Sequence, residues 1–151
     1  MPGIIGVKDA TGNIGRGTEL LRLVRKDFAV YSGDDATAMA LMFCGAKGNI
    51  SVTANVAPRA MHQLCDAAVN QRVAEAVEIN NKMIPLHTKL FIEPNPVPVK
   101  WAMAEMGLIP SGMRLPIVPL AAEYHETVRA AMRESGAVSY THLTLPTKRI
   151  V

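Results

Sequence analysis

Aromatic residues are scarce, at 5% of the 151 residues. So few rings cannot stack a run of bases, which excludes a single-strand nucleic-acid binder. Cysteine is nearly absent. Cys44 and Cys65 form no C-x-x-C pair and have no histidine at ligand spacing. That excludes a disulfide framework and a zinc ribbon, and leaves two core thiols in a reducing cytoplasm as the expectation. No apolar run reaches the roughly 18 residues of a membrane-spanning helix. The first residues do not read as a charged, apolar and small-residue leader, so no secretory signal is expected. Acidic residues stop at Glu134, whereas Lys148 and Arg149 follow, so the net charge of +3 is partly a property of the tail. The pI near 9.0 is therefore weak support for a nucleic-acid partner. Neither nucleic acid nor a membrane is expected as a partner, and the expected location is cytoplasmic.

What is present is an aliphatic, folded chain. The hydrophobic fraction is 49% and the mean hydropathy is +0.15, which suits a globular domain with a normal core. Its first stretch, Gly3-Ile4-Ile5-Gly6-Val7-Lys8-Asp9, reads as a strand buried on both faces and ending in a lysine. Strand side chains alternate, so Lys8 shares a face with Gly6 and Ile4, while Asp9 points away and is a poor partner for it. A lysine at that place is costly unless it is used or paired, because burial disfavours its charged form.

The chain then alternates. Asn13 is a candidate N-cap for a helix with Leu20, Leu21, Leu23 and Val24 on one stripe and Arg25 and Lys26 in its last turn. Phe28 to Gly33 reads as a second strand. Asp34-Asp35 is suited to capping a helix over Ala36 to Phe43, with Gly45 as the stop. Gly48 to Thr53 reads as a third strand rich in β-branched residues. Strands alternating with helices about every 20 residues predict a parallel sheet with right-handed crossovers, the repeat of a (β/α) barrel. From Pro58 onward the pattern is helical: Ala60 to Val69, Arg72 to Phe91 with a kink or break at Pro85, Pro98 to Met106, and Leu120 to Ser135. The expected organisation is residues 1–57 as part of a barrel, 58–138 as a helical region, and 139–151 as a non-native tail. That tail has no helical period and is similar to the translated read-through of a sequencing adapter.

Four runs in order carry a resemblance: Gly6-Val7-Lys8-Asp9-Ala10-Thr11-Gly12-Asn13, Ser32-Gly33-Asp34-Asp35, Gly48-Asn49-Ile50-Ser51-Val52-Thr53-Ala54-Asn55 and Glu93-Pro94-Asn95-Pro96-Val97-Pro98-Val99-Lys100. Together they resemble the dihydrodipicolinate synthase branch of the pyruvate-dependent Schiff-base lyases. The resemblance implies an α/β fold in which this chain supplies the C-terminal part of a (β/α)8 barrel, strands six to eight, followed by a helical region. It implies that Lys8 is the catalytic lysine, condensing with pyruvate to an imine whose enamine attacks aspartate semialdehyde. It further implies that the main chain at Ile50 and Gly33 contacts bound pyruvate. No cofactor is implied beyond the covalent imine, and a homo-oligomer, a tetramer in the family, is the implied assembly. N-acetylneuraminate lyase and keto-deoxy sugar acid aldolases share the first motif and are the close alternative.

The resemblance also implies what these residues do not supply. The family's two threonines that hold the pyruvate carboxylate, its relay tyrosines and its entrance arginine have no counterpart here; Tyr31 and Tyr124 do not match relay positions. The expectation is a portion of a synthase that is inactive by itself, with a non-catalytic, self-associating piece as the competing reading. Other polar residues have plainer roles. His62, His87 and His125 lie on separate helices without ligand spacing and read as surface or packing residues. Gly12-Asn13 is too short a pattern for a phosphate cradle. Arg16 and Lys100 read as solvated or helix-end charges, and Trp101, Met103 and Met106 as packing residues.

Overall fold

The computed structural model describes residues 3–137. Two short parallel strands, β1 (Gly6–Asp9) and β2 (Ala29–Ser32), pair in the register Gly6 with Ala29 and Asp9 with Ser32. Between them runs α1 (Ile14–Leu23), capped as expected: Asn13 Oδ1 accepts from the Arg16 N–H at 2.9 Å. The helix ends earlier than the charge pattern predicts. Its last-turn cation is Arg22, paired with Glu19, while Arg25 and Lys26 lie beyond it.

After β2 come α2 (Ala38–Phe43), a single 3-10 turn (Thr53–Asn55), α3 (Pro58–Val69), α4 (Val73–Lys89), α5 (Val97–Glu105) and α6 (Ala122–Glu134). The expected third strand over Gly48 to Thr53 is not formed. One parallel bridge, Ser32 with Asn49, is all that joins this segment to the sheet. The reason is local: from Val52 the chain turns into the 3-10 turn, and its N–H groups are taken by the Asp35 carboxylate instead of a neighbouring strand.

Pro85 does not break α4. The helix runs through it, because Met83, Leu86 and His87 around it are buried and tertiary packing overrides the lost backbone bond. The helices enclose two apolar clusters. One gathers Leu41, Met42, Met61, Leu64, Ala67 and Ala68 between α2 and α3. The other gathers Met83, Leu86, Trp101, Leu120, Val128 and Met132 among α4, α5 and α6. Ile79 of α4 touches both and joins them. Trp101 is a packing residue, as expected; it stacks on His125 at 4.6 Å, with the Arg129 guanidinium over its ring. Ser139 to Val151, read from sequence as a non-native tail, lies outside the described residues.

The strand layer is the open side of the molecule. β1 was expected to be buried on both faces, yet Ile4 is 49% exposed, Ile5 76% and Val7 37%. Among the described residues β1 has β2 on one side and no strand on the other. No helix among the described residues is long and apolar enough to cross a membrane.

Candidate active site at the ends of the two strands

Lys8 sits one residue before the end of β1, opposite Tyr31 of β2. A parallel βα unit presents such strand ends to its ligands. Lys8 itself is exposed. The burial expected at this strand end is not supplied among the described residues, where β1 has no strand on its outer edge. Asp9 turns the other way, as strand alternation requires, and is buried. Its partners are Thr11, whose N–H donates to Oδ1 at 3.0 Å, and Arg16, whose Nε lies 3.4 Å from Oδ2. Thr11, through its side chain and then its N–H, holds the Asp9 carboxyl below the usual carboxylate range, and Arg16 adds to this. Arg16 is thus more than a solvated charge, although its side chain remains 59% exposed.

Gly33 follows β2 and lies directly under the lysine stem. A Cβ at Gly33 would stand 2.3 Å from Lys8 Cε and 2.7 Å from the Ala10 Cβ. Only a residue without a side chain lets Lys8 cross the backbone there. The Gly33 N–H donates to the Asp9 carbonyl at 2.8 Å, which closes the two strand ends together. The Gly48–Ile50 segment then crosses beside them: Ser32 N–H donates to the Gly48 carbonyl at 2.9 Å, and Ile50 N–H donates to the Ser32 carbonyl at 2.8 Å. β1 and β2 thus bring Lys8 and Gly33 into contact, and the bridge ties the Ile50 main chain to Ser32 of β2.

The acidic pair divides its work. Asp34 closes the turn before α2 rather than capping the helix, whose N-cap is Thr37: its Oδ2 accepts from the Thr37 N–H at 3.1 Å and from Thr37 Oγ1 at 2.6 Å. Asp35 does not cap. It is 1% exposed, and its oxygens accept from Asn49 Nδ2 at 2.7 Å, Val52 N–H at 3.0 Å and Thr53 N–H at 2.9 Å. Thr53 Oγ1 lies 3.1 Å from Asp35 Oδ2 and 2.9 Å from His87 Nδ1. His87 of α4 is buried, and burial pushes its pKa down, against the opposing pull of Asp35 and Asp34. Sequence reasoning missed this Asp35–Thr53–His87 chain. Its members are 18 and 34 residues apart, and no periodicity signals such a contact.

Of the two expected core thiols, Cys65 packs against the α2–α3 cluster and Cys44 does not. Cys44 is exposed and Cys65 half-buried; burial pushes the Cys65 thiol up. Cys65 lines an open groove of about 340 Å³ with Tyr31, Asn49, Ser51 and His62. No group of three or more potential metal-ligating side chains occurs among the described residues.

Comparison with known proteins adds a second line of observation. The model of the dihydrodipicolinate synthetase family matches residues 1–135. A 4-hydroxy-tetrahydrodipicolinate synthase of Herminiimonas arsenicoxydans is 82% identical over 138 residues, covering 91% of this chain and 47% of the relative. One from Thiobacillus denitrificans is 59% identical, with the same coverage of both chains. The crystal structure of the chloride-inhibited dihydrodipicolinate synthase of Acinetobacter baumannii with pyruvate superposes with a TM-score of 0.89 at 51% identity, covering 91% of this chain and 47% of that one. The chain thus spans about half the length of the relatives it matches. The expected placement as strands six to eight, the C-terminal part of a barrel, does not stand as stated. The family match runs from residue 1 to residue 135 without assigning strand numbers, and the described residues hold two strands and one bridge instead of three strands. The α/β class, with parallel strands joined through a helix, does stand.

Proposed function

We propose, from the premise that the chain belongs to the dihydrodipicolinate synthetase family, that it carries the nucleophile of a pyruvate-condensing lyase. In this reading the Lys8 amine attacks the keto carbon of pyruvate, and loss of water gives an imine. The imine, once protonated, draws electrons from the methyl group, which loses a proton to become an enamine. The enamine carbon bonds to the aldehyde carbon of aspartate semialdehyde. The amine of that substrate then displaces Lys8 and closes the ring of 4-hydroxy-tetrahydrodipicolinate.

The observation that carries the reading is the crossing of Lys8 over Gly33, with Cε 2.3 Å from where a Cβ would stand. The lysine stem lies against the bare Gly33 backbone at a strand end, and the Ile50 N–H is bonded to Ser32, the residue before Gly33. Gly33 and Ile50 are the proposed pyruvate contacts in this reading, and the imine is the only covalent group the chemistry needs. The relatives' names and the pyruvate in the Acinetobacter baumannii structure support the substrate. The functional assembly is a homo-oligomer, by kinship with the family.

The carboxylate clamp and proton relay that the chemistry needs are not among these residues, so the chain alone has little or no synthase activity. Orientation and proton transfer together supply several orders of magnitude of rate. The test is an assay of the chain extended to the full length of its relatives, with pyruvate and either aspartate semialdehyde or sugar-derived aldehydes. Turnover with aspartate semialdehyde that Lys8→Arg abolishes supports the reading. Preference for the sugar-derived aldehydes moves the protein to the sister aldolases, and turnover that survives Lys8→Arg ends the assignment.

A further inference from the structure

We infer that His87, acting through Thr53 and Asp35, is a positioning residue that holds the Asn49–Thr53 segment, and with it the Ile50 main chain, against Ser32 at the end of β2. The hydrogen-bond directions follow from counting protons. Asp35 already uses both carboxylate oxygens as acceptors, for Asn49 Nδ2 and for the N–H groups of Val52 and Thr53. Those three donors bracket Ile50 and Ser51 from both sides. Thr53 has one hydroxyl proton and two neighbours. Aimed at His87, it would leave oxygen lone pairs facing Asp35 Oδ2 across 3.1 Å. Aimed at Asp35, it leaves Oγ1 free to accept, and the 2.9 Å contact is then a donation from the His87 Nδ1–H. His87 is therefore the Nδ1–H tautomer.

A second observation agrees. His87 Nε2 is buried and finds no hydrogen-bond partner among the described residues. A bare acceptor there is tolerable, whereas an N–H would be an orphaned buried donor, the rarer and costlier defect. The chain of contacts then runs one way: from α4 through the 3-10 turn to Asp35 behind β2, and out to the segment whose Ile50 N–H meets Ser32. The part that concerns pyruvate rests on the lyase reading of Lys8; the clamp on the backbone does not.

The experiment has two arms. In the 151-residue chain, nitrogen-15 NMR reads the His87 tautomer, and amide exchange reads Val52 and Thr53 against core amides such as Leu64. The expected result is a pyrrole-type Nδ1 and a pyridine-type Nε2. His87→Leu is expected to speed exchange at Val52 and Thr53 by about tenfold more than at Leu64. His87→Asn, whose amide can donate from the place of Nδ1, is expected to restore most of the protection. An Nε2–H tautomer, or exchange that rises equally everywhere in His87→Leu, overturns the inference. In the chain extended to the length of its relatives, His87→Leu is expected to raise the pyruvate concentration for half-maximal imine formation about tenfold. An unchanged value removes the link to the site. Absence of any imine in the unsubstituted protein instead sinks the lyase reading, while the exchange arm still judges the clamp.

Discussion

At Gly33, packing and chemistry can be separated by one methyl group. Gly33→Ala drives a Cβ into the Lys8 stem and the Ala10 side chain. Overpacking of that kind costs about 1–3 kcal/mol, and the lysine, as the flexible partner, has to leave its path over the backbone. Melting by circular dichroism should show the stability loss, and pyruvate trapping in the extended protein should fall with it. His87 carries a prediction of another kind. Its folded pKa lies below its unfolded value of 6.5. Between those two values the unfolded chain binds more protons, so stability falls as pH drops through that window and is flat above it. Denaturant titrations at pH 5 to 8 should therefore show the advantage of the parent over His87→Asn shrinking below about pH 6.5. A constant difference would mean that His87 is not held neutral. Of these residues, the lysine at its strand end and the glycine beside it were legible in the sequence, because the motif around each is contiguous. Asp35 was read as a cap because adjacency to a helix is visible in sequence, whereas a carboxylate gripping a segment 14 to 18 residues away is not.

Among the elements, the helices were legible and the third strand was not. Periodic apolar residues with Asn13 before them, and Gly107 and Gly136 after them in left-handed backbone at φ of +72° and +70°, mark helix ends locally. A strand needs a partner, and Gly48 to Thr53 has β-branched residues without enough neighbour to pair with; Asp35 takes its amides instead. Pro85 was read as a kink or break, and the break does not occur, since propensity is local and burial of Leu86 and His87 is not. Helices α3 and α4 pack on each other, with Leu64 of α3 fully buried in the cluster it shares with α2. Leu64→Ala is expected to cost about 2–5 kcal/mol in urea unfolding. A loss under about 1 kcal/mol would show that this cluster relaxes around the cavity, contrary to the packing described here.

For the molecule as a whole, the sheet is its exposed side. Ile4, Ile5, Val7 and Tyr31 are turned out at a parallel pair whose edge is unpaired among the described residues, a surface that proteins normally cover or charge. The 151-residue chain is therefore expected to self-associate at micromolar concentration in sedimentation velocity, and Ile5→Lys to shift it toward monomer. A monodisperse monomer that melts cooperatively would refute that. The central claim remains that Lys8 is the pyruvate nucleophile, and mass spectrometry of the borohydride-reduced adduct tests it most directly. The protein extended to its relatives' length is incubated with pyruvate, reduced and digested. The account predicts that the peptide containing Lys8 gains the mass of pyruvate less one oxygen, and that Lys8→Arg gains none. An unmodified Lys8 peptide, or the same gain on another lysine, would contradict it.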